Sequence, residues 1–565
     1  MKKLISLLLT VLLVFSAVMP VFAAENAEVY EKCPMIYIRG TGAPLYDTQG
    51  NRVYTGFDVF SADTGEDEDG ITTDDILDSV MNVLKPLIVD GLLFDNWDAY
   101  GEVLYEELAP LWEEVRLDGN GDTINGINVD AWSLNWSDNY RANENMGVNR
   151  MFSIEDYGFV YDWRLSPYDH VDRLHAYIEK VMAATGYDEV CIGARCMGGS
   201  LLNAYLEKYG HLGHVKKVFY SEVLSNGCAF ISDSFSGKVA FDEKILQTFV
   251  KQLEYCGAMG FGTGFVMSDF ISELVNSTID LLVQNHSMDF ITGGVECLYN
   301  RLYEAFIPAI TLATGLATYP NYWASVYEED FDTALNLIFG EEGSEKRTEY
   351  AGLIEKIRYY REHVSSDLLG FYEKINEEYG IEVGVLAKYG YLDAPYTTHN
   401  SDISDSLVGL HDASLGATTA PVFTTLSDSY IADRAVAGFG NYISPDRQVD
   451  TSTCMFPDTT WIVKNMHHDF GDAFNYIANY FFRYSNASIH SEIIELSQFN
   501  ILDESATATG KMVPMTQDDM ADFDWMHTAV QKPTIKTVWE SFVQFVKIFF
   551  EFLKKLFNGE LHFGI

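Results

Sequence analysis

The sequence predicts an α/β protein built on a mainly parallel sheet, with helices on both faces and a large helical cap inserted between strands. Three observations predict it. Short apolar runs at Met35 to Ile38, Phe159 to Arg164, Val190 to Ala194 and Val215 to Tyr220 alternate with helical patterns, as strand and crossover helix do in a parallel sheet. From about 226 to 380 the pattern changes to helices rich in Phe, Met, Leu and Tyr, too long an excursion for a simple connection. Strand-like composition then returns at Val383 to Ala387 and at Thr460 to Val463, the last of which reads as the final strand of the sheet.

The elements follow in order. Met1-Lys2-Lys3 and the apolar stretch from Leu4 to Val21 end in Phe22-Ala23-Ala24, the pattern of a secretory signal peptide over residues 1–24. The expected product is exported and extracellular, with surface or membrane association as a further option. Residues 25–225 form the first part of the core, interrupted at about 58–150 by an acidic insertion with helical stretches near Ile76 to Leu84 and Tyr100 to Val115. After Arg164, the apolar positions Val171, Leu174, Ile178 and Val181 fall near a 3.6-residue period and predict a helix. The cap spans 226–380, and its uncharged stretch from Ala305 to Tyr327 reads as a buried lid helix because Pro308, Gly315 and Pro320 interrupt it. The core resumes over 381–485, an extension follows over 486–530, and 531–565 carries an amphipathic helix. There Trp539, Phe542, Phe545, Phe549 and Phe552 share one face, with Lys547, Lys554 and Lys555 opposite, a distribution that suits either a membrane interface or packing within the protein.

Composition narrows the partners. A formal net charge of −46 disfavours nucleic acid and keeps the body of the protein away from anionic lipid. Seven cysteines, an odd number in an exported chain, leave at least one thiol free or paired between chains. Cys33, Cys191, Cys228, Cys256, Cys297 and Cys454 lack metal-site spacing and read as core residues, with room for a disulfide or two. Asp118-Gly119-Asn120-Gly121-Asp122 opens like a calcium loop, but Thr123 and Val129 stand where that loop needs glycine and glutamate, so it reads as a solvated turn. No metal and no organic cofactor is called for.

The chemistry concentrates at Gly193-Ala194-Arg195-Cys196-Met197-Gly198-Gly199, where a strand turns sharply into a helix. Such a turn holds its middle residue at strained φ/ψ and demands small neighbours two positions before and after, which Ala194 and Gly198 supply. Cys196 then stands at a helix N-terminus beside Arg195, a setting that suits a reactive thiolate better than a structural thiol. A cysteine nucleophile needs a base, an orienting acid and oxyanion donors. Lys464-Asn465-Met466-His467-His468 follows the last predicted strand, and His468 is favoured over His467 as the base. Asp446, in the acidic loop Ser444 to Asp450, is favoured as the acid, with Asp450 and Asp393 as rivals. The backbone N–H groups of Met197 and Thr41 are the expected oxyanion donors, with Gly40 and Gly42 permitting close approach. A serine candidate at Ser414 has no strand before it and is set aside.

The block from Phe159 to about Tyr209 resembles the lecithin:cholesterol acyltransferase family and related lipases, through Tyr161-Asp162-Trp163-Arg164-Leu165 and the spacing of helix and elbow behind it. Asp446 to Val449 stands where that family has its acid loop and His468 where its histidine falls. The resemblance implies an α/β-hydrolase fold, a covalent acyl intermediate and lipid-like esters as substrates. This chain departs from the family at Ala194, Cys196 and Arg39, and a cysteine followed by Gly-Gly is similar to the elbow of polyhydroxyalkanoate synthases. The expectation is a secreted acyl hydrolase or acyltransferase with a Cys-His-Asp triad. The competing expectation is a non-catalytic lipid- or surface-binding protein on a hydrolase scaffold.

Overall fold

The computed structural model describes residues 33–41, 45–53, 94–129, 156–240, 288–468, 472–485, 487–490, 497–503 and 511–520, with isolated positions between 82 and 91 and at 242 and 245. The predicted leader at 1–24 and the amphipathic segment at 531–565 lie outside the described residues. The main sheet has eight strands: β1 Met35–Ile38, β2 Asp156–Phe159, β3 Val190–Arg195, β4 Val215–Ser221, β5 Glu382–Tyr389, β6 Thr460–Lys464, β7 Phe499–Asp503 and β8 Lys511–Pro514. Their order is β8-β7-β6-β5-β4-β3-β1-β2. Every neighbouring pair is parallel except β7 with β8. The chain is thus an α/β protein, as its alternating pattern predicts.

Buried parallel strands read as nearly continuous apolar runs because helices cover both faces. The main helices are α1 Trp97–Trp112, α2 Tyr168–Thr185, α3 Gly198–Tyr209, α4 Ala229–Ser236, α5 Met288–Ala313, α6 Phe331–Phe339, α7 Ala351–His363 and α8 Asp472–Arg483. The stripe Val171, Leu174, Ile178 and Val181 of α2 packs on Ile36, Val190, Ile192 and Ala194 at one face. Ile477, Ala478 and Phe481 of α8 pack on Phe219, Leu386, Trp461 and Val463 at the other. α2 ends at Gly186, whose φ of +76° lets its N–H reach the Met182 carbonyl, a conformation that a Cβ would strain.

The first helices of the segment sit at the carboxyl end of the strands, whereas Tyr360 of α7 and Phe371, Tyr372 and Ile375 after it pack with Val218, Tyr220, Val383 and Val385 of the sheet itself. Ile231 and Phe235 of α4, Ile307 and Leu312 of α5 and Leu335 and Ile338 of α6 share one apolar cluster with Met197, Leu224, Val408 and Val449, which follow the strand ends. The interruptions expected between Ala305 and Tyr327 are present: α5 stops at Ala313, Gly315 takes φ +80°, and a short helix restarts at Pro320–Trp323. Among the described residues no helix is long and apolar enough to cross a membrane. In the Asp118 turn, Asp118 Oδ1 accepts the N–H groups of Asn120 and Asp122 at 2.8 and 3.0 Å. The Lys356 ammonium binds Asp122 Oδ1 at 2.8 Å and the Gly121 carbonyl at 3.2 Å, so a side-chain cation already sits against this loop.

Two expectations are corrected. β2 ends at Phe159, so Tyr161 to Arg164 lie beyond the strand instead of forming it. The run Thr460 to Val463 is not the last strand, because β7 and β8 extend the sheet beyond it. β7 reads Phe-Asn-Ile-Leu-Asp and β8 Lys-Met-Val-Pro, apolar runs of two or three residues broken by polar ones. β8 ends in Pro514, which lacks the N–H that a central strand needs and is tolerated at an edge.

Candidate active site

The residues of interest lie on the loops that leave the carboxyl ends of the strands, where open α/β sheets place their ligand sites. Cys196 connects β3 to α3 with φ +55°, the left-handed conformation that the elbow reading requires of a non-glycine residue. Its neighbours explain the local sequence. A Cβ on Gly198 would lie 2.7 Å from both the Ile38 and Arg39 carbonyl oxygens, and one on Gly199 would lie 2.6 Å from Val223 Cβ. A Cβ on Gly40 would meet Cys196 Cβ at 2.5 Å and Sγ at 3.0 Å. Glycine at 40 is what lets the loop after β1 close over the thiol.

Cys33, Cys191, Cys196, Cys228 and Cys454 are all free thiols, and of these five Cys196 is the one not fully buried. Burial pushes the Cys191 and Cys228 thiols well up and that of Cys454 to about 12, which keeps them protonated and unreactive.

His468 follows β6 and is buried. Its Nδ1 lies 2.8 Å from Asp405 Oδ2, and its backbone N–H donates to the Asp405 carbonyl at 2.9 Å. The other ring nitrogen, Nε2, is buried without a well-formed hydrogen bond, and Cys196 is the further group that acts on this ring. Burial alone would lower the imidazole pKa. The Asp405 carboxylate and then the Cys196 sulfur outweigh it and hold the ring well above the usual histidine value. Asp405 is buried too, but His468, the Val408 N–H at 2.8 Å and Lys388 hold its acid below the usual range.

This pair makes stability depend on pH. The depressed Asp405 contributes fully above about 3.8 and is lost as pH falls through its folded value; the raised His468 contributes fully below about 6.5 and is lost as pH rises through its own. The stability difference between the parent and Asp405→Asn should therefore be largest between about pH 4 and pH 6.5 and shrink on either side. Thermal melts across that range check it.

The carboxylate that meets the histidine is thus Asp405, and the Asp446 assignment is corrected. Asp446 Oδ2 is taken by Lys464 Nζ at 2.8 Å and the Tyr389 hydroxyl at 2.5 Å, and Oδ1 by Ser444 Oγ at 2.6 Å. This network braces the ends of β5 and β6. Asp450 accepts from the Tyr430 hydroxyl at 2.8 Å and pairs with Arg434 at 2.9 Å, fastening the helix at Asp428–Val436. Asp393 is also buried, and burial together with the neighbouring carboxylates of Asp405, Asp233 and Asp412 pushes its acid well up, against the Ala394 N–H that lowers it. His467 Nε2 is taken by Ser406 Oγ at 2.7 Å, and its ring stands edge-on to Tyr391. Ser414 is buried inside a turn, bonded to the His411 carbonyl and the Ala417 N–H.

Met197 is the N-cap of α3, at the end where helix N–H groups lack partners, and Thr41 is exposed just beyond Gly40. Both expected oxyanion donors therefore border the loop that closes over Cys196.

Beneath them lies a charge network that sequence reasoning missed. Glu222, fully buried after β4 at φ +37°, binds Arg195 Nε and Lys388 Nζ, each at 2.6 Å. Lys388 Nζ also donates to the His468 carbonyl at 3.2 Å, and the Arg195 guanidinium donates to the same oxygen. Arg195, whose charge the sequence places beside the thiol, bonds to Glu222 and to the chain that carries the histidine.

No protein-family model and no curated protein matches this chain. Among solved structures it is matched to "The crystal structure of Tle4-Tli4 complex" at 16% identity, over 36% of this chain and 48% of that one, with a TM-score of 0.17. The chain therefore spans about half the length of the matched structure, and a likeness at this level bears on neither mechanism nor substrate.

Proposed function

We propose that this chain is a lipase-like acyl hydrolase or acyltransferase of the α/β-hydrolase type, exported from the cell, that works through an acyl-cysteine intermediate on Cys196. The observation that carries this reading is the meeting of a strained strand-to-helix cysteine with a buried histidine whose other nitrogen is bonded to a buried carboxylate. The three residues follow the chain order nucleophile, acid, histidine, with the acid after β5 and the histidine after β6. Cys196 Sγ would attack the acyl carbonyl of an ester or thioester while His468 Nε2 takes the thiol proton. Asp405 holds the imidazole through Nδ1 and stabilises the imidazolium. The Met197 and Thr41 N–H groups stabilise the oxyanion, and His468 returns the proton to the departing alcohol or thiol. Water or a second alcohol then takes the acyl group. Apolar residues around the elbow, including Met197, Leu224 and Leu407, suit a lipid-like acyl chain.

The test is incubation of the purified mature protein with chain-length series of acyl esters and thioesters, read by intact mass. An acyl adduct that disappears in Cys196→Ala is expected. Turnover that survives Cys196→Ala overturns the reading, and the absence of both adduct and turnover across the series favours a non-catalytic lipid-binding role.

A further inference from the structure

The parallel register places three residues abreast at the mouth of the site. Ile38 is paired with Phe159 on one side and with Ala194 on the other. Two residues beyond each, Tyr161, Gly40 and Cys196 therefore stand side by side at the ends of β2, β1 and β3. The middle one has no side chain, and a Cβ there would strike the cysteine at 2.5 Å. Nothing at position 40 stands between the tyrosine and the thiol.

Tyr161 is 2% exposed, and its hydroxyl is buried without a well-formed hydrogen bond. A buried hydroxyl in that state costs stability unless another group uses it. Asn321 is the polar side chain that reaches the phenol; its Nδ2 also donates to the Trp163 carbonyl at 3.0 Å and its Oδ1 accepts from Ser200, and a donor on Asn321 leaves the phenol O–H free to donate elsewhere. Burial raises the phenol well above its ordinary value, with the Cys196 sulfur adding to the effect, so the O–H remains a donor at neutral pH. The ring is held rigidly. His170 stands edge-on to it at 5.4 Å, and His170 Nε2 is fixed 2.9 Å from the Asp162 carbonyl. Asp162 forms a fully buried ion pair with Arg164 at 2.6 Å, and Arg164 binds the Val115 and Ile127 carbonyls at 2.9 and 3.0 Å.

We infer that the Tyr161 hydroxyl is a further catalytic donor, one that hydrogen-bonds the oxyanion formed when Cys196 attacks an acyl carbonyl. This rests on the acyl-cysteine reading above. In that step the sulfur–carbon bond forms, the carbonyl π pair moves onto oxygen, and the thiol proton passes to His468 Nε2. The new oxyanion accepts from Tyr161 O–H alongside the backbone donors. On collapse the carbonyl re-forms, the bond to the leaving oxygen breaks, and His468 returns the proton to it. A donor fixed in a dry site before the reaction stabilises developing charge without having to reorganise.

The experiment compares Tyr161→Phe with the parent in two reactions of the same thiol. Acylation by a p-nitrophenyl ester, followed as the nitrophenolate burst, passes through an oxyanion and should slow by about 10²-fold with little change in KM. Alkylation by iodoacetamide, a displacement at saturated carbon, forms no oxyanion and should stay within about twofold of the parent. Affinity for a trifluoromethyl ketone, which forms a tetrahedral adduct with the thiol, should fall with acylation. Acylation within about threefold of the parent overturns the proposal, and so does an equal loss in acylation and alkylation, which marks general distortion of the site. A burst that survives Cys196→Ala overturns the acyl-cysteine reading itself, whatever Tyr161→Phe does.

Discussion

Asp405→Asn is expected to lower kcat by about 10²- to 10⁴-fold, whereas Asp446→Asn leaves kcat nearly unchanged and acts on stability. Asp405 Oδ2 is the partner of His468 Nδ1 at 2.8 Å, and its Oδ1 is fixed by the Leu407 and Val408 N–H groups at 3.0 and 2.8 Å. An asparagine there removes the charge that stabilises the imidazolium, and its amide NH₂, if turned to Nδ1, selects the tautomer with the proton on Nε2. That tautomer cannot accept the thiol proton. Asp446 presents the opposite case. Its carboxylate neutralises Lys464, which is 9% exposed, and it does not touch the histidine. Removing its charge leaves a nearly buried ammonium without a counter-ion, at a cost of about 3–5 kcal/mol. Steady-state kinetics and denaturant unfolding of the two variants separate the roles. Loss of turnover in Asp446→Asn with retention in Asp405→Asn would reverse the assignment.

The elbow and the histidine were legible for a local reason. Small residues at 194 and 198 around a cysteine at a strand end constrain backbone geometry directly, and the structure shows the steric demand at Gly198 and the positive φ at Cys196. His468 was legible because it follows an apolar strand within a few residues. The acid was not. Asp393, Asp405, Asp446 and Asp450 all lie between β5 and β6 and all are buried, so burial does not distinguish them. What selects Asp405 is the path of the chain after β5, including the antiparallel pairing of Ile403–Ser404 with Tyr391–Leu392 that turns Asp405 toward His468. That pairing joins strands of two residues each, too short for a periodic signal. One local cue was present: an aspartate before Ser406-Leu407-Val408 can bond to the N–H groups that follow it, and here it does. In a chain with 83 acidic residues such a cue is easily lost. The Tyr161–Arg164 motif was legible as a resemblance, while its physical content, an anchored ion pair holding a tyrosine beside the thiol, required the register of three strands.

Glu222→Gln is expected to destabilise the protein at least as much as Asp446→Asn, and to lower activity as well, although Glu222 has no contact with substrate in the proposed step. Its carboxylate is the counter-ion of Arg195 and Lys388, and neither it nor Lys388 has any exposed side-chain surface. Burial lowers the Lys388 pKa and Glu222 opposes that effect, so loss of the carboxylate favours release of the lysine proton. Leaving Arg195 and Lys388 without the carboxylate they share costs about 3–5 kcal/mol, more than an exposed pair could contribute. The same cations donate to the His468 carbonyl, which positions the histidine from behind its main chain. Turnover should therefore fall with stability. Adding Lys388→Met to Glu222→Gln removes one of the two stranded charges and should recover part of the lost stability. It should not restore activity, because the lysine bond to His468 is gone as well. Unfolding midpoints for the single and double variants, read beside turnover, test the coupling. Full activity in Glu222→Gln would show that the histidine is held without the network.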